Sequence, residues 1–480
     1  MANFPPTTEQ IEDDLKDFID SIDPNAVCKL ASRHNSSKTC WIFQDHKHGS
    51  YNVCYFVEFE DGAQWVVRIP LEPCVYNVWD KVQNEVTTIH YLQTHTTIPV
   101  PYIHAFGREK NPIGHAYIIQ SYISGHSLDI LAFRRKTPEG RKYFYSQLID
   151  FLAQLRQLQF PYIGSLMPDP NGETPPVVGP LLSMQLNDLQ LGSGELSIQP
   201  AMFESAIDFV RHQYDLLNQK YKFPAYNLTR EDIEREVFAL EDLKGKLLGH
   251  IDARYNHGPF VLSHTDLRWN NILVDDDLRI QGIIDWEWAA TVPRQFFLPP
   301  TWLAGYPPDW VSEVEYKVEY RWFHDALKQK AKTSESCRQL ACEWDRKLPT
   351  RIDLPLAVTL RYHGSFINAY YRGVFPKFYK DSSENVVERF FKSDGKDGHF
   401  SLDVQQRLRD LTQYKQYMEG NGLAPGQRPR KNKKSGEPRQ FTQPAEGITA
   451  LPGSSSSPGD LLQPDQDHPG SHDEVSLPAF

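Results

Sequence analysis

No stretch of this 480-residue chain approaches the roughly 20 consecutive apolar residues that a bilayer-spanning helix requires, so no membrane span is expected. Cysteine is scarce. Its six positions (28, 40, 54, 74, 337 and 342) never fall into C-x-x-C spacing, which sets aside a zinc site and a disulfide framework. Reduced thiols of a cytoplasmic protein fit better. The opening residues MANFPPTTEQIEDDLKDF have neither a basic start nor an apolar run, so a secretory signal is not expected. Positive charge is also in deficit, with 51 Lys and Arg against 62 Asp and Glu and a net charge of −11. Duplex nucleic acid, which needs clustered cations, is therefore not an expected partner. An acidic surface tolerates a cationic small molecule. There is no internal repeat.

What the chain does contain is enough apolar and aromatic residues, 40% and 12%, for a substantial core. Thr7-x-x-Gln10 reads as a capping box before a helix through Ile11, Leu15, Phe18 and Ile19. A β-rich region follows: Cys40 to Phe43, a loop from His46 to Asn52, then alternation at Val53, Tyr55, Val57 and Phe59. Asp61-Gly62 supplies a hairpin turn and Trp65 to Ile69 the return strand, which Pro70 ends. Val78 to Thr94 has helical periodicity, and Tyr102 to Phe106 and Ala116 to Ile119 read as further strands. From Ser127 onward the pattern is helical, with examples at 143–158, 200–221, 311–330, 354–371 and 402–418. Strands first and helices afterwards predict an α+β, bilobal architecture. It divides into a small β-rich N-lobe with the first helix (1–120), a large mainly helical C-lobe (121–419) and a disordered tail (420–480). Arg428, Arg430, Lys431, Lys433 and Lys434 form a basic cluster in that tail, either simply solvated or a nuclear-import address.

The most informative stretch is His264-Thr265-Asp266-Leu267-Arg268-Trp269-Asn270-Asn271, followed by Ile283-Ile284-Asp285-Trp286-Glu287. The first reads H-x-D-L-x-x-x-N, a loop pattern of kinase-type phosphoryl transfer. The second sets an Asp at the end of an apolar strand, where that chemistry needs a metal ligand. Asp266 is the candidate that accepts or orients the proton of an attacking hydroxyl. Asn271 and Asp285 offer hard oxygen atoms to Mg²⁺. Glu287 is a candidate second metal ligand or a group near the acceptor, and His264 is expected to hold the loop through a backbone hydrogen bond. Arg268 is a candidate for neutralising transition-state charge, a solvent-facing loop arginine being the alternative.

In the first half, Arg68 ends the strand Trp65–Ile69, where a cation clamps phosphates and a carboxylate from the next helix holds it. Glu85 is the candidate carboxylate. Backbone amides near Gly49 and Ser50 are candidates to cradle phosphate, and Gln120 and Tyr122, at the crossing between lobes, to meet the nucleotide.

With these residues assembled, the chain resembles the aminoglycoside phosphotransferase and choline kinase superfamily, the small-molecule branch of the protein-kinase-like fold. The matching elements are Gly49-x-x-Asn52, Val67-Arg68-Ile69-Pro70, Glu85, Ile98-Pro99-Val100-Pro101, Ser124-Gly125-x-x-Leu128, the His264–Asn271 loop and Ile284-Asp285-Trp286-Glu287. Phe296-Phe297-Leu298-Pro299-Pro300 and Gly164-Ser165-Leu166 look like a large fungal group of unassigned substrate. The resemblance implies ATP, Mg²⁺ and transfer of the γ-phosphate to a hydroxyl of a small-molecule acceptor, a cationic one among the candidates. Trp286, Glu287, Trp288, Tyr362, Tyr370 and Tyr371 are the residues available to bind an amine by charge and cation–π contact. Thr265 stands where aminoglycoside enzymes commonly carry glycine, and no A-P-E segment follows Asp285. A catalytically silent nucleotide-binding scaffold and a protein kinase are the alternative functions.

Overall fold

The computed structural model describes residues 4–171, 175–193, 198–345 and 353–425. The basic cluster at 428–434 and the rest of the expected tail from 426 onward lie outside the described residues.

Helix α1 (Thr8–Ser21) starts at the anticipated capping box, Thr7 and Gln10 each closing on the other's backbone. A second helix, α2 (Pro24–His34), follows at once; Asp23 caps it and Pro24 occupies its first turn. An antiparallel sheet comes next, built from β1 (Cys40–His48), β2 (Asn52–Phe59), β3 (Gln64–Pro70), β4 (Ile103–Gly107) and β5 (Tyr117–Ser121) in the order β1-β2-β3-β5-β4. Gly62 at φ +80° makes the turn between β2 and β3, as the Asp-Gly pair predicts.

Alternation along the strands gives the sheet two faces. Val53, Tyr55, Val57, Phe59, Trp65, Val67 and Ile69 pack one face into a core shared with α1 and α2. Cys54, Phe56, Val66, Arg68, Ile118 and Gln120 lie on the other, because Cys54 pairs with Arg68, Phe56 with Val66, and Ile118 and Gln120 with Arg68 and Val66. Helix α3 (Val78–His95), capped by Asn77, contributes Val82, Val86, Ile89 and Leu92 to the larger core that the C-terminal helices share.

The crossing from β5 is tight. The Tyr122 N–H donates to Gln64 O at 3.0 Å. Gly125 sits at φ +128°, where a Cβ would come within 2.8 Å of the Val274 carbonyl oxygen, so only glycine fits. His126–Ser127 then pairs with the strand Ile272–Val274. Helices Pro138–Gln157, Val314–Lys330 and Glu335–Trp344 pack around Phe144, Tyr145, Phe323 and Trp344. The large core, the separate sheet core and the antiparallel strands make the fold α+β and bilobal. No helix among the described residues is long and apolar enough to cross a membrane.

Two expected elements differ. The helix expected over 354–371 ends at Arg361 and continues as a 3₁₀ turn at His363–Ser365, a short helix, and a π turn at Tyr370–Val374. Gly364 within that stretch disfavours one straight helix. At the end of the described chain, helix His399–Gly420 is followed by Leu423 and Ala424, both buried with Tyr414 and Met418. Packing therefore runs a few residues past the expected start of the tail at 420.

Candidate active site

The loop after strand Phe260–Ser263 is set by a fully buried strand on one side and by His264 on the other. His264 Nε2 lies 2.9 Å from Ile284 O, and its Nδ1 accepts the Asp266 N–H at 3.3 Å. These partners assign the neutral tautomer with the proton on Nε2. Burial pushes the imidazole down to about 4, so it stays uncharged near neutral pH. The ring also lies 4.6 Å from that of the fully buried Trp286. His264 is a structural tie between the two loops, as its position predicts.

Asp266 follows, about three-quarters buried at its side chain, with Arg268 Nη2 3.3 Å from its Oδ2. Burial raises this carboxyl to about 6; Asp285 and Glu287 push it the same way, and Arg268 opposes them. The short 3₁₀ turn Trp269–Asn271 brings Asn271 back beneath it. Asn271 Nδ2 donates to Asp266 O at 2.9 Å and reaches Oδ2 at 3.5 Å. Committing the amide nitrogen in this way turns the amide oxygen away from Asp266. Strands Ile272–Val274 and Ile280–Ile283 pair antiparallel, and the Ile284 N–H donates to Asn271 O at 3.0 Å. Asp285 is thereby delivered next to Asn271.

Asp285 adopts φ +63°, a left-handed conformation uncommon for a residue with a side chain, and Trp288 adopts φ +64°. Strained backbone of this kind persists where its surroundings fix it. Arg68 Nη2 lies 2.7 Å from Asp285 Oδ1 and 3.1 Å from Glu85 Oε1, so the expected Arg68–Glu85 pair forms and Asp285 joins it. Burial acts to raise the Asp285 carboxyl, but the Arg68 guanidinium outweighs it and holds it below the usual carboxylate range.

Three site residues had no role assigned from the sequence. Lys81, one turn before Glu85 on α3 and almost wholly buried, pairs with Glu287 and donates to Asn52 Oδ1 at 3.1 Å. Asn52 Nδ2 donates to Glu287 Oε2 at 2.6 Å. A lysine four residues before a glutamate reads as a surface pair, and nothing local betrays its burial. Arg361 is the third. Its Nη2 donates to the carbonyls of His264 and Thr265 at 3.2 and 2.6 Å, and its Nη1 to Phe296 O at 3.3 Å, pinning the loop from behind.

The other expected site residues are placed as follows. Glu287 is buried, and its Oε2 is taken up by Lys81 and Asn52. The Gly49 N–H is spent on Asn52 O at 2.9 Å, because β1 runs on to His48 and closes a tight turn. Ser50 lies in that turn, partly buried. Trp286 is interior and donates its indole N–H to Ile283 O. Tyr370 and Tyr379 bind Asp242, and Tyr371 donates to Arg235 O; these tyrosines belong to the helical core. Gln120 is buried on the sheet face that carries Arg68, its Oε1 without a partner. Tyr122 meets Phe43 and Phe56 edge-on at 5.6 and 6.1 Å, forming an aromatic corner beside it.

In their charged forms Arg68 and Lys81 face Glu85, Asp285 and Glu287, which leaves one negative charge in excess. Of the three carboxylates, Asp285 is the most exposed, at 35% of its side chain. The surplus is therefore accessible at Asp285, whose neighbour Ile284 is tied to the Asn271 backbone and whose charge acts on Asp266. Two hard oxygen donors on a net-negative site suit Mg²⁺.

The model of the phosphotransferase enzyme family designated APH matches residues 43–296, a span that contains every residue of this site except Arg361. The clavilactone A biosynthesis cluster protein Y of Ampulloclitocybe clavipes is 25% identical over 265 residues, 53% of this chain; the chain spans 62% of that protein's length. Among solved structures, the GDP complex of wild-type aminoglycoside 2'-phosphotransferase-IIIa aligns with 82% of this chain and 99% of its own at 12% identity and a TM-score of 0.42. Plasmodium vivax ethanolamine kinase aligns with 76% of this chain and 81% of its own at 14% identity and a TM-score of 0.37.

Proposed function

Because the chain belongs to the APH phosphotransferase enzyme family, we propose that it moves the γ-phosphate of ATP to a hydroxyl of a small molecule. One observation carries the reading: Asp266, Asn271 and Asp285 converge through backbone ties of their own loops, with an excess negative charge where a metal would sit. Asn271 and Asp285 would hold Mg²⁺, which supplies charge neutralisation at the phosphates. Arg68, kept in place by Glu85, adds a fixed cation on the sheet side. Gln120, with the corner of Phe43, Phe56 and Tyr122, forms the wall for the base. Asp266 orients the acceptor hydroxyl and takes its proton, and Arg268 beside it offsets charge developing on the transferred group. In such a reaction most of the rate comes from positioning and electrostatics.

Two observations favour a second reading, a silent nucleotide-binding scaffold: Arg68 already contacts Asp285, and the Gly49 amide is spent on its own turn. ADP release with Mg-ATP and a panel of amino alcohols, sugars, aminoglycosides and hydroxylated secondary metabolites separates the two. Turnover with at least one acceptor, lost in Asp266→Ala, supports the enzyme. Mg-dependent ATP binding without turnover on any acceptor supports the scaffold.

A further inference from the structure

Two parallel ion pairs hold the segment Asp285–Trp288, and they differ in how readily they can be exchanged. Arg68–Asp285 is partly open to solvent at the carboxylate, with 35% of that side chain exposed. Lys81–Glu287 is shut away, at 1% and 10%. The closed pair is also cross-braced. Asn52 accepts from Lys81 through Oδ1 and donates to Glu287 through Nδ2, and Lys81 Nζ lies 5.9 Å from the centre of the Trp288 ring. Asn52 opens β2 directly after the turn at Gly49, Lys81 lies on α3, and Glu287 is two residues past Asp285. Three elements far apart in sequence are thus tied by one buried set.

We propose that Lys81 is a positioning residue that keeps Asp285 in its metal-receiving place when Arg68 releases it. The inference rests on the proposed role of Asp285 as a Mg²⁺ ligand. A metal taken up at Asp285 competes with Arg68 for that carboxylate, and its charge favours release of the Arg68 contact. At that moment the backbone bends at Asp285 and Trp288, both left-handed, lose one of their two charged restraints. Of the remaining ties, Thr265 Oγ1 to Trp288 O at 2.9 Å and Trp286 Nε1 to Ile283 O at 2.9 Å are neutral hydrogen bonds. Lys81, through Glu287 and Asn52, is the charged restraint that persists. Arg68 thus stands where the metal and phosphates come to act, and Lys81 holds the frame that receives them. Nothing in this role asks Lys81 or Glu287 to touch the nucleotide.

The test is Mg²⁺ titration of a fluorescent ATP analogue bound to the full-length protein, with near-UV circular dichroism as the check on folding. Lys81→Met is expected to bind the analogue in EDTA within about threefold of wild type, but to lose tenfold or more of the tightening that Mg²⁺ brings. Lys81→Arg, which keeps the charge, should recover most of it. If Lys81→Met does not fold, Glu287→Gln asks the same question with an isosteric neutral partner. Wild-type Mg²⁺ dependence in the folded Lys81 or Glu287 variant, alongside its loss in Asp285→Asn, overturns this inference and leaves the parent reading standing. Unchanged Mg²⁺ dependence in Asp285→Asn overturns the parent reading, and the inference falls with it.

Discussion

Replacing Arg68 is the perturbation whose cost can be worked most directly from the structure. One nitrogen of its guanidinium meets two carboxylates, Asp285 at 2.7 Å and Glu85 at 3.1 Å, while its side chain is 4% exposed and that of Glu85 is 1%. Arg68→Met removes the cation and leaves Glu85 buried with only Lys81 nearby to offset it. Stranding one partner of a buried pair costs about 3–5 kcal/mol. Most of that falls on Glu85, because Asp285 is partly exposed and water screens its share. Arg68→Lys keeps the charge, but a single shorter ammonium reaches one carboxylate and not both, so a loss of about 1.5–3 kcal/mol is expected. In Arg68→Met/Glu85→Leu the orphaned charge is gone, and at least half of the methionine variant's loss should return. The assay is urea denaturation followed by the fluorescence of the ten tryptophans. A loss under about 1 kcal/mol in Arg68→Met, or a double variant as unstable as the sum of its parts, would refute the buried-pair argument.

Other consequences are separable. Arg361→Met frees the carbonyls of His264, Thr265 and Phe296 and should lower kcat by about 10- to 100-fold through misplacement of Asp266, with little change in KM for ATP in steady-state kinetics. Gly125→Ala, driven toward the Val274 carbonyl at φ +128°, should destabilise by about 1–3 kcal/mol. Gly49→Ala, where a Cβ meets nothing within 4 Å, should stay within about 0.5 kcal/mol; thermal melts compare the two. Burial lowers His363 to about 3. Because its folded value lies below the ordinary 6.5, the stability it contributes is present above pH 6.5 and is lost as pH falls from there towards 3. The slope is about 1.4 kcal/mol per pH unit. His363→Gln should flatten the fall of the urea midpoint between pH 6.5 and 4.5; parallel curves for variant and wild type would contradict the assignment.

How much was legible follows from how local each constraint is. The loop His264–Asn271 and the strand end at Asp285 could be read because their partners lie within a few residues or one hairpin away. Thr7 and Gln10, or Asp61-Gly62, are legible for the same reason. Lys81 and Arg361 were not, because their partners are distant. Arg361 reaches His264 across 97 positions, and Asn52 reaches Glu287 across 235. Only the tertiary fold shows that α3 turns Lys81 inward. The turn at Gly49 was open for a related reason: one glycine fixes neither the length of β1 nor which backbone amides remain free. The tyrosines at 362–371 carried aromatic character without direction, and the broken helix there sends Tyr370 and Tyr371 into the core.

The central claim is that Asp266 performs its chemistry beside Asn271 and Asp285. Its most direct test is ³¹P NMR of Mg-ATP incubated with a metabolite extract and either wild-type or Asp266→Asn protein. The account predicts a new phosphomonoester signal with the wild type and one formed at least about 100-fold more slowly with the variant, while both bind ATP equally well. Equal rates of signal growth in the two samples would contradict it.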